Sequence, residues 1–263
     1  MRVAFLTAGG IAPCLTASIG SLIKEYQKIN TEFEFIGYLN GYKGLLMADY
    51  VILNDFNNID ELNHFGGSLL GNSRVKLTNI DDCIKNNYID KGQIPLEVAG
   101  KELIRNKIDI LHTIGGDDTN ITAADLVEYV ENKKYKITVV GLPKTIDNDV
   151  YPIKQTLGAF TAAEETANFF KNIVNENTTS SRHLIIHEVM GRNCGWLTAY
   201  SALLYRKMIN NKTFVPNLFI NKNKWDIHAI YIPELNYDLE SESKRLNKVM
   251  DQFDCVNIFL SEG

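Results

Sequence analysis

Short apolar runs alternate with amphipathic helical stretches along nearly the whole chain, and this alternation restricts the fold more than any other feature. Apolar runs at Val3–Leu6, Phe33–Leu39, Ile108–Ile114, Ile137–Val140, Leu184–Val189, Ala229–Ile232 and Val256–Leu260 read as strands. Between them, helical periodicity predicts helices over about Leu15–Ile29, Leu96–Asn106, Ala159–Ile173, Trp196–Met208 and Leu239–Phe253. One more helix is expected to run to about Asn132, capped by Asn120 or Thr122. Strands separated by helices pair in parallel through βαβ crossovers, so the expected class is α/β with mainly parallel sheets. The pattern is weakest over residues 49–93, where Gly66–Gly71 reads as loop and Asp81–Asn87 as a short helix. Gly41–Gly44 reads as a turn, and the polar run Asn175–Ser181 as a surface connection or domain junction.

The polar clusters fall just after the expected strands. Gly9-Gly10 follows the first, Gly115-Gly116-Asp117-Asp118 the Ile108 strand, and Met190-Gly191-Arg192 the Leu184 strand. Ser261-Glu262-Gly263 follows the last. The densest cluster, Gly141–Val150 (GLPKTIDNDV), is expected to leave the Ile137 strand as an ordered loop, because Pro143 disfavours helix at Leu142. In open α/β sheets, ligands bind beyond the carboxyl ends of the strands. A glycine pair there lets backbone N–H groups approach a phosphate, although a plain tight turn has the same sequence. Either acid of the Asp117-Asp118 pair suits Mg²⁺, which prefers oxygen ligands; helix capping is the simpler alternative. Asp147 or Asp149 could act as a general base, with Lys144 and Thr145 steadying charge on a transferred group. Arg192, and Arg74 with Lys76, are candidate phosphate clamps; ordinary surface cations would look the same.

Composition removes other classes. The net charge of −5 gives no support for a nucleic-acid or membrane-surface binder, so an anionic ligand must be held by local cations, helix ends or metal. Cys14, Cys83, Cys194 and Cys255 are scattered without a CxxC pair, which argues against zinc or a disulfide framework and fits a cytoplasmic location. No HxxxH pair sits on a helix: His183 and His187 lie four apart in a strand-like run. No apolar run approaches bilayer length. Neither GxGxxG nor a Walker A lysine motif is present.

Taken together and in order, TAGGIAP at 7–13, GGSLLGNSR at 66–74, IGGDD at 114–118, LPKTIDND at 142–149, EVMGRNCGWL at 188–197, IPE at 232–234 and SEG at 261–263 resemble the phosphofructokinase family. That resemblance implies two Rossmann-like three-layer α/β domains, here 1–158 for phosphoryl donor and Mg²⁺, and 159–263 for sugar phosphate, the second incomplete at its C-terminus. It implies phosphoryl transfer to the 1-hydroxyl of fructose 6-phosphate, with Mg²⁺ as cofactor, in a homodimer or homotetramer. Asp147 would accept the sugar proton, and Asp117 would bind Mg²⁺. Thr145, Met190, Gly191, Arg192 and Glu262 would contact the sugar phosphate; Gly9, Gly10, Arg74 and Lys76 would face the donor. His183 stands where many members carry an Arg that reaches into a neighbouring subunit; Arg182 is adjacent.

Asp118 and Lys144 stand where ATP-using members usually carry Gly, and where pyrophosphate-using members carry Asp and Lys. A carboxylate at Asp118 would repel the α-phosphate of ATP, and Lys144 would supply charge to a donor without nucleotide contacts. Cys14 and Ile11 also depart from the ATP-type pattern. The expected donor is therefore pyrophosphate. An ATP-dependent enzyme and a non-catalytic paralogue are the alternatives. Family members continue beyond SEG, so the chain is expected to be the N-terminal part of a longer protein.

Overall fold

The computed structural model describes residues 1–54 and 58–263. It divides into two compact units, the first comprising residues 1–145 and 156–158, the second 146–155 and 159–263. The loop that follows Thr145 therefore packs with the second unit, although 1–158 reads from the sequence as one block.

The first unit is built on a six-stranded sheet in the order β3-β2-β1-β4-β5-β6. Its strands are β1 (Arg2–Thr7), β2 (Glu34–Tyr38), β3 (Tyr50–Ile52), β4 (Ile110–Gly115), β5 (Thr138–Thr145) and β6 (Leu157–Gly158). All pairings are parallel except β2 with β3. The period-two geometry of β1 explains its apolar run. Val3 and Phe5 face α1 (Leu15–Ile29), where Leu15, Ile19 and Ile23 are fully buried. Ala4 and Leu6 face the opposite layer, which holds α2 (Tyr42–Met47), α3 (Ile80–Lys85), α4 (Pro95–Arg105) and α5 (Asp117–Asn132).

The second unit is a three-stranded parallel sheet in the order β7-β9-β8, from β7 (His183–Val189), β8 (Ala229–Tyr231) and β9 (Cys255–Ser261). One face packs on α6 (Ala159–Ile173) and α7 (Trp196–Asn210) through Ile185, Val189 and Phe259. The other packs on α9 (Leu239–Phe253) through Val256 and Ile258. The short helix α8 (Lys222–Trp225) seats Trp225 in the first of these cores. Among the described residues, β7 has a strand neighbour only on its β9 side, and Leu184 and Ile186 on its outer face are each 54% exposed.

Several expectations need correction. The run Gly41–Gly44 opens helix α2 instead of forming a simple turn. Helix α5 begins at Asp117 with Gly116 as its N-cap, so neither Asn120 nor Thr122 caps it. Asn120 instead folds back, its Nδ2 donating to the carbonyls of Gly115 and Gly116 at 2.9 and 3.0 Å. Thr122 donates to the Asp118 carbonyl one turn back. Strand β5 runs through Pro143 to Thr145, where the sequence suggests a loop from Gly141 onward. Pro143 pairs with Gly115 of β4, and β6 joins only from Lys144, so the missing N–H falls where the strand has one neighbour. The polar run at 175–181 is no domain junction. Asn177 is fully buried there, and its Nδ2 donates to Asn257 Oδ1 and to the Lys224 carbonyl within the second unit.

Candidate active site

The residues singled out from the sequence form two clusters, one in each unit. In the first unit, β1 and β4 end side by side, and β5 extends past them. Their carboxyl ends surround a cavity of about 530 Å³ lined by Gly9, Gly10, Arg74, Lys76, Asp117, Asp118 and Lys144. All the expected donor and metal residues are therefore brought together.

Lys144 is the centre of this cluster. Its residue is 7% exposed, and its Nζ donates to the Gly10 carbonyl at 2.8 Å. Burial, and then the nearby Arg74 guanidinium, hold its ammonium below the ordinary lysine pKa. An anion arriving in the cavity would relieve both effects. Gly9 adopts φ +81°, a conformation that suits glycine. Its amide is already used by the Ser73 carbonyl at 2.8 Å, so Gly10, which is exposed, is the glycine placed to offer an N–H.

Asp117 and Asp118 occupy the first turn of α5, where the helix dipole favours carboxylates. Asp118 Oδ2 is paired with Lys76 Nζ at 2.9 Å. Lys76 is thus the counter-ion of Asp118 here, a relation the sequence does not suggest. Among the described residues, no cluster of three or more acidic, His or Cys ligands forms a ready-made metal cage. Mg²⁺ commonly takes one or two carboxylates and completes its shell with water and phosphate oxygens. Asp117, exposed on the cavity lining, is the residue that fits this role. Sequence reasoning passed over Ser73 and Thr119, which also line the cavity. Ser73 lies inside the GNSR run; only its position between Asn72 and Arg74 could have drawn attention to it.

In the second unit, Asp147 is half-buried, and its carboxyl is held above the ordinary aspartate pKa by burial, then by Asp149, then by Glu262. The turn after β7 closes on it. Cys194 Sγ donates to the Asp147 carbonyl at 3.4 Å. Gly191 has φ +126°, and a Cβ there would collide with the Cys194 carbonyl and lie 3.7 Å from Asp147 Oδ1. Arg192 Nη2 meets Glu262 Oε1 at 3.1 Å, and Glu262 N donates to the Val189 carbonyl at 2.9 Å. Met190 is 62% exposed beside them. Asp147, Met190, Gly191, Arg192 and Glu262 thus gather at one end of the second sheet.

Two expected residues lie outside these groups. Thr145 ends β5 within the first unit, and its carbonyl accepts from Thr156 Oγ1 at 2.7 Å. His183 opens β7, at the end of the strand opposite Met190, with Nδ1 3.2 Å from Ser180 Oγ. Within one chain it does not join the Arg192–Glu262 cluster. Its neighbour Arg182 is tied to Asp251 through Nη1 at 2.7 Å, and to Asp254 Oδ1 through its amide at 2.8 Å.

Residues 2–263 match the family model for phosphofructokinase. The chain belongs to the phosphofructokinase family. Among its curated relatives is the pyrophosphate–fructose 6-phosphate 1-phosphotransferase of Methylomonas methanica, 53% identical over all of this chain and 64% of the relative. The protein of the same name from Mastigamoeba balamuthi is 50% identical over 99% of the chain and 64% of its own length. The chain therefore spans about 64% of the length of these phosphofructokinase relatives. The fold is likewise that of a solved pyrophosphate-dependent phosphofructokinase from Marinobacter aquaeolei, with a TM-score of 0.75 and 24% identity over 100% of this chain and 61% of that one. No helix among the described residues is long and apolar enough to cross a membrane.

Proposed function

We propose that the protein carrying this chain transfers a phosphoryl group from pyrophosphate to the 1-hydroxyl of fructose 6-phosphate, giving fructose 1,6-bisphosphate and orthophosphate. The reaction is reversible, because the bonds broken and formed are of comparable energy. The observation that carries this reading is the buried Lys144 ammonium, which shares a cavity with Gly10, Arg74, Lys76 and the Lys76-paired Asp118. A small, dense dianion or trianion suits that lining, and Asp118 disfavours the α-phosphate that ATP would bring.

In this reading the first unit holds the donor. Lys144 and Arg74 offset charge on the transferred group and on the departing orthophosphate. Asp117 would hold Mg²⁺, which would offset negative charge on the phosphoryl donor. The second unit holds the acceptor. Asp147 takes the proton of the sugar 1-hydroxyl as its oxygen bonds to phosphorus and the bridging P–O bond of pyrophosphate breaks. A carboxyl held above its ordinary pKa is a stronger base once ionised. Thr145 and Glu262 orient the sugar, and Met190, Gly191 and Arg192 receive it. His183 would act from a neighbouring copy in a homodimer or homotetramer, since it stands away from the Arg192 cluster of its own chain.

A coupled assay of the complete protein with pyrophosphate and, separately, ATP tests the reading. Turnover is expected with pyrophosphate, and Asp147→Asn should lower it about 10²- to 10⁴-fold. Turnover with ATP alone, or near-normal activity in Asp147→Asn, would overturn it.

A further inference from the structure

We infer that Glu234 is a positioning residue for Asp147, acting through the turn that joins β7 to α7. This rests on the reading of Asp147 as the base. Glu234 follows β8 in a short loop. That loop is pinned by Tyr237, whose hydroxyl accepts from Ile232 N at 3.0 Å and whose ring packs edge-on against Tyr231 at 4.8 Å. From this support Glu234 Oε1 accepts the Gly195 N–H at 2.7 Å. Gly195 is the N-cap of α7, so a carboxylate meets the positive end of a fifteen-residue helix.

The contact is close because residue 195 has no side chain. A Cβ there would collide with the Ile232 side chain and come within 2.6 Å of Glu234 Oε2. One residue earlier, Cys194 holds the main chain of Asp147 by its thiol, and its carbonyl lies where a Cβ on Gly191 would fall. The path from Glu234 to the base therefore runs through Gly195 and Cys194, with no gap wider than a hydrogen bond. It bypasses Arg192 and Glu262, which pair with each other. When the Glu234 carboxylate is removed, the N-terminal turn of α7 loses its tie to the β8 loop. Asp147 then loses the thiol contact that sets its height over the sugar hydroxyl.

The test compares Glu234→Ala and Glu234→Gln with wild type in the complete protein, using two readouts. In steady state, Glu234→Ala should lower kcat about tenfold or more, since a displacement of about 1 Å at a reacting group can cost 10²-fold. Its KM for pyrophosphate should stay unchanged, because the donor residues all lie in the first unit. Glu234→Gln keeps an acceptor oxygen and should recover most of the loss. Separately, iodoacetamide labelling mapped by peptide mass spectrometry should find Cys194 modified several-fold faster in Glu234→Ala, with Cys14 unchanged. A normal kcat, a loss confined to the pyrophosphate KM, or an unaltered Cys194 rate would each overturn the assignment. Should the alanine variant not fold, Glu234→Asp, whose carboxylate is one methylene short of the Gly195 N–H, carries the test with the same directions. If wild type turns over neither donor, the functional reading fails, and the labelling rates still decide whether Glu234 holds the turn.

Discussion

Replacing Lys144 by Met separates the electrostatic role of that residue from its structural one. The side chains are of similar length, so packing changes little. The structural loss is the hydrogen bond from Nζ to the Gly10 carbonyl at 2.8 Å. A bond from a charged donor contributes about 1.5–3 kcal/mol, but burying the ammonium opposes it, so the net change should be about 1 kcal/mol. For a protein of this size that moves Tm by about 2–4 °C. The functional loss is larger. A unit charge about 4 Å from a phosphoryl oxygen, at an effective dielectric constant of about 20, is worth about 4 kcal/mol. At 1.36 kcal/mol per factor of ten, that is about 10³-fold in kcat/KM, reduced toward 10² where Arg74 shares the work. The assay is steady-state turnover with pyrophosphate and fructose 6-phosphate, alongside thermal unfolding of the same samples. Folded protein retaining kcat/KM within tenfold of wild type would refute the argument, because a buried ammonium facing the donor cannot be that cheap to remove.

Three further outcomes are expected. Exchanging Asp118 and Lys144 together for Gly removes both the carboxylate and the ammonium from the donor cavity and should admit ATP as a weak donor; unchanged exclusion of ATP in the coupled assay would count against the cavity as the donor site. Asp149→Asn removes the stronger of the two charges that raise the Asp147 pKa, so the acid limb of the kcat/KM profile should move to lower pH; a move upward or none would be the contrary result. Phe259 is fully buried against Phe170 at 4.6 Å and His187 at 4.8 Å on the central strand β9, so Phe259→Ala should cost about 3–5 kcal/mol in urea unfolding. A loss below about 1 kcal/mol would mean that this core is not packed as described.

The elements easiest to anticipate were those whose own periodicity matches their burial. Helix α1 places Leu15, Ile19 and Ile23 on one buried stripe, and β1 is apolar on both faces because helices cover both. What escaped the sequence was decided by neighbours. Strands β3 and β6 are three and two residues long and hold their place only by pairing with β2 and β5. Pro143 reads as a strand breaker until the register shows an open side there. The site divides in the same way. Glycine, lysine and acid types after strands pointed to the donor cavity, because carboxyl ends are where βα loops gather. The pairing of Lys76 with Asp118, and the reach of Glu234 to Gly195, are meetings between segments far apart in sequence, and no local pattern encodes them.

The outermost strand of the smaller sheet has a practical consequence at the bench. HLIIHEV carries neither lysine nor proline, the residues that usually discourage chance pairing, and among the described residues its seven residues pair with a strand on one side only. Handled as 263 residues, the polypeptide should self-associate as its concentration rises, and light scattering across a dilution series would register it. A charge on this exposed strand, such as Ile186→Lys, would be the first remedy for a crystallographer.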